Sequence, residues 1–312
     1  KTLKNKKTEL IILSQVYPGF TEQLNWDKSK LFYQVETLIF GEAINRAEYP
    51  ERIIIGYNQK KDFKKSNLKN VLKNFTEKII GMDYKSAELT KIAINLFLIS
   101  NINTTNMISN ACEEIGASWN SIIPALKSDK RIGKYSYLQP SLSIGGTNLM
   151  RDLVTFKKIF PKENRNNKLI NVWQQSNSFQ KKWVFKIIDN LIKKRKINNI
   201  LILGLAYKEN TNSTQNSIFL EIINKYKNIK FHLFDPIVTN EIKKKNTFHM
   251  HSVQKVKKVL NNIEIVMILN KSNQFKKIFT SKIIKNLNNK YIIDPYGLLK
   301  LFNNKNYFMK GN

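Results

Sequence analysis

Lys91 and Asn95 lie four residues apart, a spacing that on a helix stacks an ammonium and a carboxamide on one face. Two hydrogen-bond donors so placed could serve chemistry, although a surface lysine beside a polar helix residue would look the same. Asp152 raises the same choice, because an acid in the first turn of a helix needs no chemical reason to be there. The three histidines, His232, His249 and His251, include an i, i+2 pair with no acidic or sulfur companion, so no metal site is expected. One cysteine, Cys112, excludes an internal disulfide and any multi-cysteine metal site. Its helical spacing with Ile108 and Ile115 makes it a core residue rather than a nucleophile.

Apolar spacing supplies the elements that must carry these groups. Residues 9–13 and 52–56 read as strands, separated by a helical-looking stretch at 35–47. No initiator Met and no glycine-rich βα turn precede them, so residues 1 to about 58 read as the back end of an α/β domain whose front end is not in this sequence. Residues 58–66, polar and lysine-rich, read as a loop or linker. Helical periodicity then runs from Ser86 to Gly116, where the glycine is a natural stop, and returns at 119–126 and 173–195. After Asn198 the texture changes to short apolar runs at 200–205, 230–234, 263–269 and 291–294 with helical segments between them, the signature of βαβ units and a parallel sheet.

The chain of 312 residues carries 53 Lys plus Arg against 23 Asp plus Glu, a formal net charge of +30. Those basic residues are dispersed among Asn and Ile, with short runs only at 193–196 and 243–245, so solvated faces are expected rather than a nucleic-acid surface. A hydrophobic share of 42% is enough for packed cores. The longest apolar runs fall far short of the roughly 18 to 20 residues that span a bilayer, and no export signal is visible, so a cytoplasmic protein without a membrane partner is expected.

Five separated segments, in order, then resemble a known family, the nucleotide-sugar 6-dehydrogenases of the UDP-glucose and GDP-mannose type. SQVYPG at 14–19 resembles the family's S-T-V-P-x-G turn, and PERIIIG at 50–56 resembles P-[DE]-R-[IV]-[VI]-[IV]-G. AELTKIAIN at 87–95 resembles A-E-x-x-K-x-x-x-N, GGTNLMRD at 145–152 resembles G-G-[SY]-C-[FL]-P-K-D, and LGLAYKENT at 203–211 resembles L-G-[LF]-A-[FY]-K-x-[DN]-T. The resemblance implies an α/β chain in three parts: an N-terminally truncated remnant of an NAD-binding Rossmann domain (1–66), a central helical dimerisation domain (67–197), and a C-terminal Rossmann-like parallel-sheet domain for the nucleotide-sugar (198–312). It implies NAD as cofactor, a UDP-sugar as substrate, a homodimer through the central helices, and oxidation of the sugar C6 alcohol to a carboxylate.

Residue by residue, the resemblance places Lys91 and Asn95 at the reacting carbon, donating to a developing oxyanion and holding a water. It places Asp152 where the family orients water or accepts a proton, and Glu36, in VETLIF, at a carboxylate that positions the catalytic water. It gives substrate contacts to Arg131, Tyr137, Leu138, Gly145, Gly146, Tyr207 and Lys208, and cofactor contacts to Arg151 and Gln215, both altered from the family's lysine and arginine. Three departures bear on the chemistry. The nucleophilic cysteine position is Asn148, the turn's threonine is Gln15, and the second carboxylate of the P-E-F-L-R-E segment is Phe40. An amide cannot form the thiohemiacetal and thioester that carry an aldehyde to an acid. A further change, Tyr296 in place of a late arginine, removes one expected phosphate contact. The alternative to an impaired dehydrogenase is a non-catalytic UDP-sugar-binding or dimer-partner protein.

Overall fold

A computed structural model describes residues 8–39, 41–238, 248–279, 283–284, 287–299, 301 and 304–311. The contacts divide the chain into two compact units, one of residues up to Phe97 with Asp152–Ile159, the other of Leu98–Arg151 with the rest of the chain from Phe160. Phe40 and the basic run at 243–245 lie outside the described residues.

The first unit is built on a four-stranded sheet in chain order: β1 (Leu10–Ile12), β2 (Leu31–Gln34), β3 (Ile53–Tyr57) and β4 (Ile79–Met82). The β1–β2 and β3–β4 pairs are parallel and the β2–β3 pair antiparallel. Strand alternation sends Leu31 and Tyr33 to one face with Ile54, Tyr84 and Ala87, and Phe32 to the other with Ile53, Ile55, Phe63, Leu68 and Leu72. Both faces are covered, so β2 and β3 carry apolar residues on both sides.

The helix expected at 35–47 is confined to α1 (Ala43–Glu48), because Val35 N continues the sheet by donating to Ile54 O and the Glu36 carboxylate accepts from Leu38 N, a local bond that competes with helix formation. The loop expected at 58–66 contains a short helix, α2 (Lys60–Lys65), followed by α3 (Asn67–Leu72). Ser66 Oγ accepts from Lys69 N at 3.1 Å, and the Glu9 carboxylate takes Asn67 N and Leu68 N at 2.8 and 2.9 Å, so α3 has two caps at its start. The sheet also extends beyond residue 66, since β4 pairs with β3.

Helix α4 (Tyr84–Ile115) runs unbroken for 32 residues, and α5 (Trp119–Ser128), α6 (Asn148–Lys157) and α7 (Arg165–Lys194) complete the central section. Cys112 is buried with Trp119 and Leu138, as its spacing foretold. Lys193 and Lys194 of the other basic run sit in the last turn of α7, where cations favour the helix dipole.

The second unit carries a six-stranded sheet of β5 (Asn199–Leu203), β6 (Lys230–Phe234), β7 (Phe248–Met250), β8 (Ile265–Ile268), β9 (Tyr291–Ile293) and β10 (Tyr307–Phe308). Its spatial order is β10-β9-β8-β5-β6-β7, and every neighbouring pair is parallel. One face packs Ile200, Ile202, Phe231 and Met267 on α7 and α8 (Ile218–Lys225); the other packs Leu201, Leu203, Val266 and Ile268 on α9 (Val253–Val259) and α10 (Gln274–Ile278). Each fully buried Ile or Leu of this sandwich contributes roughly 1.5–3 kcal/mol of transfer free energy. The order reverses direction between β5 and β8, the topological switch point at which α/β sheets open a crevice beyond their carboxyl ends. Among the described residues no helix is long and apolar enough to cross a membrane.

Candidate functional site

In the first unit the site begins with a turn. Gly19 adopts φ +96°, a conformation glycine enters without a Cβ penalty, and the turn it closes is fastened by Glu88. That carboxylate, fully buried on the second turn of α4, accepts from Gly19 N and, at 2.8 Å, from Thr21 N. Glu88, Lys91 and Asn95 follow at helical spacings of three and four, so the face that clamps the turn also carries the expected ammonium and amide. Gln15, at the head of the turn, donates its amide to Asp152 Oδ1, and Asn95 Nδ2 donates to Asp152 Oδ2. Asp152 is fully buried and Asn95 nearly so. Tyr33 is buried beneath them; burial pushes its phenol up to about 12, and the nearby carboxylates of Glu88, Asp152 and Glu36 add to the rise.

The expected residues Asn95 and Asp152 are therefore brought together, with Glu36 in the same field. Lys91 is one turn from Asn95 and half-buried. Asn148 opens α6 one turn ahead of Asp152 and is exposed, as is Arg151. Glu88 and Tyr33 were missed in the sequence. Glu88 stands inside a matched motif but its work is done on a backbone 67 to 69 residues away, and Tyr33 belongs to a strand that no periodicity announced. A carboxylate whose oxygens are each engaged by an amide is well oriented as an acceptor, and a water to be deprotonated must compete for its remaining lone pairs.

In the second unit a cleft opens beyond the carboxyl ends of β5, β8 and β9, lined by Leu142, Ser143, Gly145, Tyr207, Asn216, Ser217, Ile218, Leu269 and Tyr296. Its walls are fixed by backbone bonds. Gly204, at φ +94°, ends β5 so close to β8 that an added Cβ would stand 2.7 Å from Asn270 Cγ. Asp235, at the end of β6, accepts from Leu205 N at 2.8 Å and Ala206 N at 3.2 Å and so holds the strand-end turn. Tyr207 then lies flat against Gly145 and Gly146, where an added Cβ would come within 2.8 and 3.0 Å of its ring. Asn216 Nδ2 donates to Gly146 O at 3.0 Å. Burial raises the Tyr207 and Tyr296 phenols, so both remain neutral donors.

Of the expected substrate residues, Gly145, Gly146 and Tyr207 are thus brought together, and Lys208 follows half-buried. The others stand elsewhere. Arg131 is exposed and paired with Asp129, Nη2 to Oδ2 at 2.6 Å. Tyr137 and Leu138 give their carbonyls to Thr105 Oγ1 and Trp119 Nε1, both at 2.8 Å, which ties that segment to α4 and α5. Gln215 is exposed in the turn before α8. Lys271, which sequence reasoning passed over, follows β8 with its ammonium 5.8 Å from the centre of the Tyr296 ring.

The three histidines gather at the β6–β7 edge, with His232 Nδ1 and His251 Nε2 2.8 Å apart and His249 paired in register with His232. Among the described residues no group of His, Cys, Asp and Glu is arranged to hold a metal ion.

Comparison with known proteins places both sections. Residues 85–179 match the central-domain model of the UDP-glucose/GDP-mannose dehydrogenase family, and residues 201–301 match its UDP-binding-domain model. A UDP-glucose 6-dehydrogenase of Rickettsia bellii is 29% identical over 309 residues, covering 95% of this chain and 70% of that protein. A Campylobacter jejuni UDP-glucose 6-dehydrogenase is 31% identical over 260 residues, covering 79% of this chain and 64% of its own length. The chicken UDP-glucose 6-dehydrogenase is 32% identical over 217 residues, 66% of this chain and 43% of its own. A solved structure of a UDP-glucose dehydrogenase from Pyrobaculum islandicum shares the fold, with a TM-score of 0.81 at 20% identity over 95% of this chain and 69% of that one.

Proposed function

The chain belongs to the UDP-glucose/GDP-mannose dehydrogenase family, and we propose that it holds a UDP-sugar in its C-terminal unit while lacking the acid-forming half of the family's reaction. The observation that supports the binding half is the cleft at the switch point, with Tyr207 seated on Gly145 and Gly146 and Lys208 next to it. An aromatic wall seated closely on glycine backbone and a neighbouring cation suit a nucleotide-sugar.

The reaction splits where the nucleophile should be. Oxidising a C6 alcohol to an aldehyde removes a hydride and a proton, and needs no covalent link to the protein. Carrying the aldehyde on to an acid through a thioester requires a thiolate to add to the carbonyl before the second hydride leaves. Asn148 supplies no such group, and the single thiol, Cys112, is buried in the helical core. The chain's chemistry therefore stops at the aldehyde. Lys91 and Asn95 keep the donors that a developing alkoxide would use.

NAD is the family's oxidant, and Arg151 and Gln215 are the residues that correspond to its contacts. The fit is poor among the described residues of the first unit. The backbone N–H groups of Gly19 and Thr21 in the turn after β1 are held by the Glu88 carboxylate rather than turned to a phosphate. A second reading, a UDP-sugar-binding protein with no redox step, draws support from the two amides on Asp152, which occupy a carboxylate expected to handle water.

We also infer a homodimer through the central helices. Leu169, Val172 and Phe179 form an apolar stripe on α7, each more than half exposed. The test of the catalytic reading is incubation of the full chain with UDP-glucose and NAD, with NADH absorbance and mass spectrometry of the sugar. UDP-sugar binding without uronate is expected; uronate formation would sink it.

A further inference from the structure

Lys271 stands two residues beyond Leu269, which lines the cleft, and its ammonium lies over the ring of Tyr296, which lines it as well. Tyr296 is itself anchored, its hydroxyl donating to Leu269 O at 3.2 Å. The backbone that launches Lys271 is fixed by Asn270, whose side-chain Nδ2 reaches Ala206 O and Asp235 Oδ2, each at 3.4 Å, and whose Oδ1 accepts from Ser272 N at 3.3 Å. A long flexible side chain thus springs from a rigid strand end at the switch point, where crevice ligands sit.

The surroundings of that ammonium do not satisfy it. Among the described residues it lies over an aromatic face, with the Glu209 carboxylate pulling on it from the loop after β5 and the Lys127 ammonium opposing. Burial lowers its pKa, with the Glu209 attraction as the opposing influence. A desolvated cation without a close carboxylate is costly unless an anion arrives to complete it. The arrangement does not serve stability, and it does suit a ligand that brings negative charge into the cleft.

We propose that Lys271 is a phosphate-binding residue, its ammonium meeting the diphosphate of a nucleotide held in the cleft between Tyr207 and Tyr296. This rests on the reading of the cleft as a nucleotide-sugar site and adds to it the cation that neutralises the diphosphate. Lysine meets a phosphate as a point charge on a flexible stem, so arginine should replace it in charge, though with different reach.

Calorimetric titration of the full chain with UDP and with uridine separates the two claims. Wild-type protein binds UDP more tightly than uridine, and the UDP affinity falls as salt rises. Lys271→Met should lose at least tenfold in UDP affinity, keep its uridine affinity within about twofold and show a shallower salt dependence; Lys271→Arg should stay within about fivefold of wild type. Thermal denaturation should show Lys271→Met folded and no less stable than wild type, and Lys271→Gln serves if it is not. If wild-type protein binds neither ligand, the cleft reading itself fails. If wild type binds UDP and the Met and Gln variants bind it equally well, Lys271 has no such role.

Discussion

Gln15 donates its side-chain amide to the buried carboxylate of Asp152, a residue 137 positions further along the chain. The bond ties the turn after β1 to the first residue of the first unit's second segment. With Asn95 on the other oxygen it makes Asp152 a structural acceptor.

Asp152→Asn should therefore destabilise the chain by about 1–3 kcal/mol, because an amide NH₂ then faces the amide donors and one buried group loses its partner. Gln15→Ala should cost less, since Asn95 remains. Urea denaturation of both variants and the double variant measures this, and the two losses should not add. Losses below about 0.5 kcal/mol for Asp152→Asn would show that the cluster is not held as described.

Cys112 is 3% exposed beside Trp119 and Leu138. A thiol in that position should resist a thiol-specific reagent in the folded protein and react fully in denaturant. Rapid labelling of the native chain would reopen it as a nucleophile.

Gly204→Ala should cost about 1–3 kcal/mol in stability, because its φ of +94° is strained for any Cβ and the new atom would crowd Asn270. Gly145→Ala sits at ordinary φ and its Cβ meets the Tyr207 ring, so its main effect should be on UDP affinity through displacement of Tyr207. Thermal denaturation and UDP titration of the pair separate the two effects; equal behaviour would count against the described cleft wall.

Burial lowers the His232 pKa from 6.5 to about 4, and the charges of His251, Lys230 and His249 act in the same direction. The folded chain then refuses a proton that the unfolded chain accepts. Stability from this group is complete above about pH 6.5, declines as pH falls towards 4, and is level below. A loss on the order of 2 kcal/mol across that window is expected, and His232→Gln should flatten it. Stability that rises on acidification through this window would contradict it.

Phe179→Glu, which puts a charge on the exposed stripe of α7, should convert a dimer to a monomer in light scattering. A wild-type monomer at micromolar concentration would remove the inference.

Four strands of the C-terminal sheet, β5, β6, β8 and β9, were readable from residues alone because they are buried on both faces and their apolar runs stand clear of the helices between them, whereas β7 and β10, three and two residues long, were not. The run from Tyr84 was readable because its apolar face repeats at helical spacing. β2 and β4 were not readable: Leu31–Gln34 and Ile79–Met82 are four residues each, too short to separate from helix fragments by period. The helices α2 and α3 were hidden because Phe63, Leu68 and Leu72 acquire their meaning only against a sheet face formed elsewhere. Five motifs identified the family, and the residue type at position 148 was legible there too, since whether a side chain can act as a nucleophile is a property of the side chain itself. Which donors meet Asp152, which backbone Glu88 fastens and what surrounds Lys271 were decided by the fold. Those are properties of groups far apart in the chain, and only packing sets the distance and the water content between them.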